Sequence, residues 1–246
     1  MREDTVARIR WGSLWLGLAA LAVLVWATWW DTPWGRAPDW TGATDVAAPM
    51  TRKLLFYHPA LAWASFAAYL VTFAMSIAYL NERDLRHDAP ARSAAAVGFL
   101  LNTLALVTGT LWGIQEWSRS GQSALATVYT EPKVLVVVVM WLTFAAYLLL
   151  RRFVDEPARR ARLAAAFGIL GFLGVPASWL VSRLLAKSLH PDVVGPGANP
   201  DAAISAYEGG LVWLSALAFT LLFVHLWLMR LRLARLEDRL AGQEAS

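Results

Sequence analysis

Residues 112–133, WGIQEWSRSGQSALATVYTEPK, separate two apolar runs, 93–111 and 134–150. Neither run carries a charge, and each has about the length a helix needs to cross a bilayer. The stretch between them therefore reads as a loop at a membrane surface. It opens with Trp112, Gly113 and Trp117 and closes with Tyr129, Glu131, Pro132 and Lys133. Aromatics at both ends suit a flat apolar ligand with a polar edge. They equally suit an interfacial belt, where Trp and Tyr collect at headgroup depth without any ligand.

The composition agrees with a membrane setting. Of 246 residues, 58% are hydrophobic and only 16% charged, and the mean hydropathy is +0.46. Soluble domains carry more charge. The chain contains no cysteine, which excludes disulfides, thiolate metal sites, covalent thioether haem attachment and thiol redox chemistry by its own residues. The formal net charge of +4 says little about nucleic acid, and no nucleic-acid partner is expected. Basic residues on such a chain more often mark cytoplasmic loops.

Outward from the central loop, four further apolar runs complete an all-α, six-span pattern. The spans fall at about 11–30, 59–80, 93–111, 134–150, 163–185 and 209–229. The first, WGSLWLGLAALAVLVWATWW, lacks a small-residue cleavage site and reads as a retained helix, not a signal peptide. Pro59 suits the first turn of the second span, which would set His58 at its mouth. Pro176 should kink the fifth span. The turn-rich segments 31–57 and 186–207 join 112–133 as long loops, and a cluster of Trp29, Trp30, Trp34 and Trp40 marks the start of the first. No repeat or separate soluble domain is visible, so residues 1–246 read as one six-helix transmembrane domain.

The charges orient it. The amino terminus, 81–92, 151–162 and the tail hold 3, 3, 5 and 4 arginines, and the remaining 7 of 22 basic residues are spread over the three long loops. By the positive-inside rule both termini are cytoplasmic and loops 31–57, 112–133 and 186–207 are external. The aromatic, turn-rich loops thus share one face.

Two of the four histidines also fall on that face. His87 lies among cytoplasmic arginines, and His225, near the cytoplasmic end of the sixth span, reads as hydrogen-bonded within the bundle, although an intramembrane ionisable group is also a functional candidate. His58 and His190 each precede a proline and each stand at the external end of a span. Two imidazoles facing one another across a Trp-rich cavity suit six-coordinate haem iron. Two unrelated interfacial histidines are the plain alternative. A catalytic zinc site needs a third protein ligand, and neither an HExxH spacing, a GxSxG elbow nor a phosphate-cradling glycine loop is present. Arg183 and Lys187, near the external end of the fifth span, suit haem propionates or simple snorkelling.

The ordered local patterns resemble the haem-handling cytochrome c assembly membrane proteins, most closely the CcmC type. Tyr57-His58-Pro59-Ala60-Leu61-Ala62-Trp63 looks like that family's His-x-Pro-x-x-Trp opening of the second span, slightly respaced. Thr108-Gly109-Thr110-Leu111-Trp112-Gly113 with Trp117 looks like the start of its tryptophan-rich signature. Asp155-Glu156-Pro157 and its following arginines look like the cytoplasmic connector, and Val175-Pro176 with Leu189-His190-Pro191 looks like the fifth span and second histidine loop. The likeness covers about residues 50–215. It departs where the family continues Trp-Trp-x-Trp-Asp: here the sequence is SRSGQSALATVYTEPK, with Tyr129 and Glu131-Pro132-Lys133 standing near the family's Trp and Asp-Pro-Lys.

The resemblance implies a protein of the inner membrane that is not an enzyme. It would hold non-covalent haem b at its external face and pass it on during c-type cytochrome biogenesis. The implied axial ligands are His58 and His190. Trp63, Trp112, Trp117 and Tyr129 would line or pack on the macrocycle, and Glu131 would support the loop or a partner contact. The implied partners are a periplasmic haem chaperone (CcmE-like) and an ABC-type transporter complex (CcmAB-like), besides membrane lipid. A small membrane cytochrome b passing electrons from quinone is the alternative, and its histidines would normally lie within spans. A transporter would show paired broken helices from repeated halves, and only one interrupted span is visible.

Overall fold

The computed structural model describes residues 3–31, 53–117, 123–184, 188–190 and 206–244. The described residues form eight α-helices and no strand: α1 (Glu3–Trp26), α2 (Leu54–Glu82), α3 (Asp88–Glu116), α4 (Ala124–Thr130), α5 (Pro132–Phe153), α6 (Pro157–Phe172), α7 (Gly174–Leu184) and α8 (Ala206–Glu244). Six stretches are long and apolar enough to cross a membrane, with α6 and α7 together making one of them. The fold is therefore an all-α, six-span bundle. Trp34, Trp40, Lys187, Arg119 and most of the 31–57 and 186–207 loops lie outside the described residues.

Local chemistry sets several helix ends. Glu156 accepts from the amide N–H groups of Ala158 and Arg159 at 2.8 and 2.7 Å, and Pro157 takes the first position of α6, where its missing N–H costs nothing. Pro132 does the same for α5, whose last turn carries Arg151 and Arg152, cations that suit a helix C-terminus. Helix α2 stops at Arg83, which adopts left-handed φ of 57° and returns its N–H to the Tyr79 carbonyl.

Two boundaries differ from the sequence-based reading. Helix α2 begins at Leu54, so Pro59 lies inside it and His58 in its second turn, not at its mouth. The fifth span breaks at Leu173, three residues before Pro176. Proline lacks the N–H that would bond the carbonyl four residues earlier, and its ring crowds that carbonyl. The strain therefore surfaces one turn upstream, next to Phe172.

Helix α2 packs against α3, α6 and α8, and α5 against α3, α6 and α7, while α1 lies along α8. The core under α5 stacks Tyr69 on Phe144 with centroids 3.6 Å apart. Asn102 donates to the Tyr69 hydroxyl at 3.2 Å, and Trp141 donates to Thr103 at 2.8 Å. Such bonds satisfy polar groups that lipid cannot.

The arginine-rich ends gather at one end of the bundle. Arg151 and Asp88 form a two-pronged ion pair, Arg92 reaches Asp238 and the Ala234 carbonyl, each at 2.7 Å, and Tyr79 donates to the Ala158 carbonyl at 2.8 Å. The features singled out as a site lie at the opposite end.

Candidate functional site: a two-histidine aromatic cleft

At that opposite end α2, α3, α5 and α7 part around a cleft of about 930 Å³, counted out to its open mouth. The walls are mostly apolar: Trp63 and Phe66 from α2, Leu106 and Trp112 from α3, Val134 and Val137 from α5, and Trp179 from α7. His58, Lys133 and His190 bring nitrogen groups to it.

The two histidines flagged from the sequence meet there. Their ring centroids lie 6.4 Å apart, with ring planes inclined at 47°. His58 is fixed from behind: its Nδ1 lies 2.9 Å from the Ala105 carbonyl oxygen. A carbonyl only accepts, so Nδ1 carries the hydrogen, and the neutral imidazole keeps its lone pair on Nε2. Thr108 Oγ1 lies 3.4 Å from the same Nδ1. The close approach of α2 and α3 depends on Gly109, where a Cβ would fall 2.6 Å from His58 Cε1.

His190 stands on another footing. It lies beyond the last residue of α7, outside any helix. Trp112 and Trp117 flank its ring at 6.2 and 6.1 Å between centroids and meet each other edge to face at 5.3 Å. Lys133 Nζ lies 3.5 Å from His190 Nδ1.

The described ends of the central stretch are largely helical. Trp112 occupies the last turns of α3 and is nearly buried, Trp117 closes that helix with its N–H on the Gly113 carbonyl, and α4 folds back so that Val128 packs against both tryptophans. Trp112, Trp117, Trp63, His58 and His190 all line the cleft. Tyr129 and Glu131 are not among its lining residues. Tyr129 is 40% exposed, and its hydroxyl pairs with Thr110 Oγ1 at 3.1 Å. Glu131 is 2% exposed and takes hydrogen bonds from Ser188 Oγ and from the Leu189 N–H, at 2.5 and 2.9 Å.

Lys133, Trp179 and Gly109 were not singled out as site residues in the sequence. A signal for Lys133 existed, since the residue after a helix-opening proline at a span end has its side chain near the interface. No signal of comparable kind marks Trp179, which lies on α7 beyond the break at Leu173. Arg183 sits over the Trp179 ring, 5.0 Å from its centroid. His225 is held by the Arg10 carbonyl at 2.9 Å, and His87 by Glu82 at 2.9 Å, both remote from the cleft.

The fold and site define a multi-pass helical membrane protein with two imidazoles converging in an aromatic cleft at one end. The profile of the cytochrome c assembly protein family matches residues 13–190, and the chain belongs to that family. Heme exporter protein C of Bradyrhizobium diazoefficiens is 30% identical over 212 residues, covering 80% of this chain and 69% of that protein. Heme exporter protein C of Paracoccus denitrificans is 26% identical over 201 residues, covering 80% and 79%. A cytochrome c biogenesis protein CcsA of Chlorella vulgaris is 31% identical over 114 residues, covering 45% and 33%. These similarities place the chain in c-type cytochrome biogenesis.

Proposed function

We propose that the protein holds haem b, without a covalent bond, in the cleft between His58 and His190 and hands it on during c-type cytochrome assembly. Haem is cargo here, so the protein's work is binding and release, with no bond-making catalysis. The observation that carries the reading is the spacing of the two rings. Two imidazoles bonded to one metal ion at about 2 Å each put their centroids roughly 6 Å apart, and these stand 6.4 Å apart. The chemistry of the donors agrees: the Nε2 lone pair of His58 is left available by the Ala105 bond, as in other oriented ligating histidines. Trp112, Trp117 and Trp63 offer apolar and aromatic surface to a macrocycle, and Lys133 offers a cation to a carboxylate at its edge.

In this reading the arginine-rich end faces the cytoplasm, both termini lie there, and the cleft opens on the external side of the inner membrane. The acceptor is a haem chaperone on that side, and an ABC-type transporter complex is the membrane partner. The relatives named heme exporter protein C support the haem-handling part of this reading.

The test is the optical spectrum of the detergent-purified protein after addition of hemin. Wild type should show a six-coordinate, low-spin spectrum, and His58→Ala and His190→Ala should each lose it. A wild type that takes up no hemin would overturn the reading. Sustained reduction by quinol would favour the electron-transfer alternative.

A further inference from the structure

We propose that Glu131 is the positioning residue for His190: its buried carboxylate clamps the 188–190 segment and thereby sets where the second imidazole stands. This inference rests on the reading of His58 and His190 as the two haem ligands.

The two histidines are supported very differently. His58 belongs to a 29-residue helix and is hydrogen-bonded from behind by Ala105. His190 belongs to no helix. Among the described residues, its segment is tied down by Ser188 Oγ donating to one Glu131 oxygen at 2.5 Å and the Leu189 N–H donating to the other at 2.9 Å. The His190 N–H reaches Ser188 Oγ at 3.3 Å, so the ligand's own backbone is linked to Glu131 through that hydroxyl. Leu189 adds an apolar contact with the Trp112, Trp117 and Val128 cluster.

The placement of Glu131 argues that these bonds are its purpose. It stands at the N-cap of α5, where a carboxylate ordinarily folds back onto the helix's own first N–H groups. No such bond forms. Both oxygens instead reach a segment 57 and 58 residues further along the chain. A carboxylate that is 2% exposed is costly to bury unless hydrogen-bonded, so it and the segment hold each other. Its own backbone is set by the α4–α5 junction, with extended φ and ψ of −65° and 123° and Pro132 next in line. The carboxylate therefore has a defined origin from which to hold the segment. One consequence is an order of release: His58 is the anchored ligand, and His190 is the one that an acceptor displaces.

The experiment uses full-length protein in detergent with hemin. Glu131→Ala should keep haem on His58 but turn the low-spin spectrum high-spin, and millimolar imidazole should restore it by filling the position His190 has left. Glu131→Gln keeps an acceptor for the Leu189 N–H and should recover much of the low-spin form. Ser188→Ala should fall between. An unchanged, imidazole-insensitive low-spin spectrum in Glu131→Ala would overturn the clamp.

A second readout needs no haem. The chain has no cysteine, so Leu189→Cys is a sole thiol beside the clamp. Its maleimide labelling should quicken by about tenfold or more in the Glu131→Ala background, since each lost hydrogen bond to a charged group is worth at least about that factor. An unchanged rate would overturn the proposal. If wild type fails to take hemin, the haem reading falls and the labelling rate alone decides the clamp. If Glu131→Ala does not fold, Ser188→Ala, which removes one of the two bonds, carries the same comparison.

Discussion

Gly109→Ala sets two effects of opposite sign against each other. The added Cβ would lie 2.6 Å from His58 Cε1 and 3.0 Å from Nδ1, where ordinary contact begins at 3.4 Å. The ring must therefore retreat by about 0.8 Å, the difference of those distances. That shift pulls Nδ1 away from Ala105, whose oxygen it now meets at 2.9 Å, and removes a bond of roughly 0.5–1.5 kcal/mol. It also moves the imidazole out of register with His190. In the other direction, Ala replaces Gly within a helix, which is worth about 1 kcal/mol to stability. The expected result is a dissociation constant for hemin raised about tenfold or more, with a mixed-spin spectrum. The apparent melting temperature in detergent should stay close to that of wild type, because the two terms nearly cancel. Hemin titration and a thermal melt on the same preparations supply both numbers. A variant that binds hemin as wild type does would show that the α2–α3 contact does not position His58, and would refute the reasoning. A variant that loses binding only because it no longer folds would refute the stability half.

Other substitutions separate the roles of neighbouring residues. Trp117→Ala removes a side chain that is only 9% exposed and packed on Trp112 and Val128; it should cost about 3 kcal/mol in denaturant stability and weaken hemin binding together with His190. Tyr129→Phe removes only the Thr110 hydrogen bond at an exposed position. It should cost less than about 1 kcal/mol and leave the hemin titration unchanged, whereas a tenfold loss would return Tyr129 to the cleft. At the far end, Asp88→Ala strands Arg151, whose side chain is 10% exposed. A destabilisation of about 3–5 kcal/mol is expected, with partial recovery when Arg151 is replaced by methionine as well. A melt of Asp88→Ala that matches wild type would mean that the pair is dispensable.

The spans were legible because hydropathy is a local property: an uncharged run long enough to cross a bilayer shows itself in any short window of sequence. The gathering of His58 and His190 at one end followed from the span count, since an even number of crossings lies between them; the arginine counts only decided which end that is. What each side chain faces is a different kind of quantity. Tyr129 and Trp117 look alike as aromatics in one loop, yet Trp117 turns onto Trp112 and His190 while Tyr129 turns outward to Thr110. The short helix α4 makes that choice by folding back on α3.

The sequence by itself determined an all-α protein with six spans, segregated charge, no thiol chemistry, and two histidines destined for the same end. Only the tertiary structure decided that their rings stand 6.4 Å apart, that Lys133 and Trp179 share their cleft, and that Glu131 reaches across to the His190 segment. The physical reason is the range of the interactions. Transfer to the bilayer and helix ends depend on neighbours within a few turns, whereas the site is made by contacts across 47, 57 and 58 residues of chain, whose partners no local window contains.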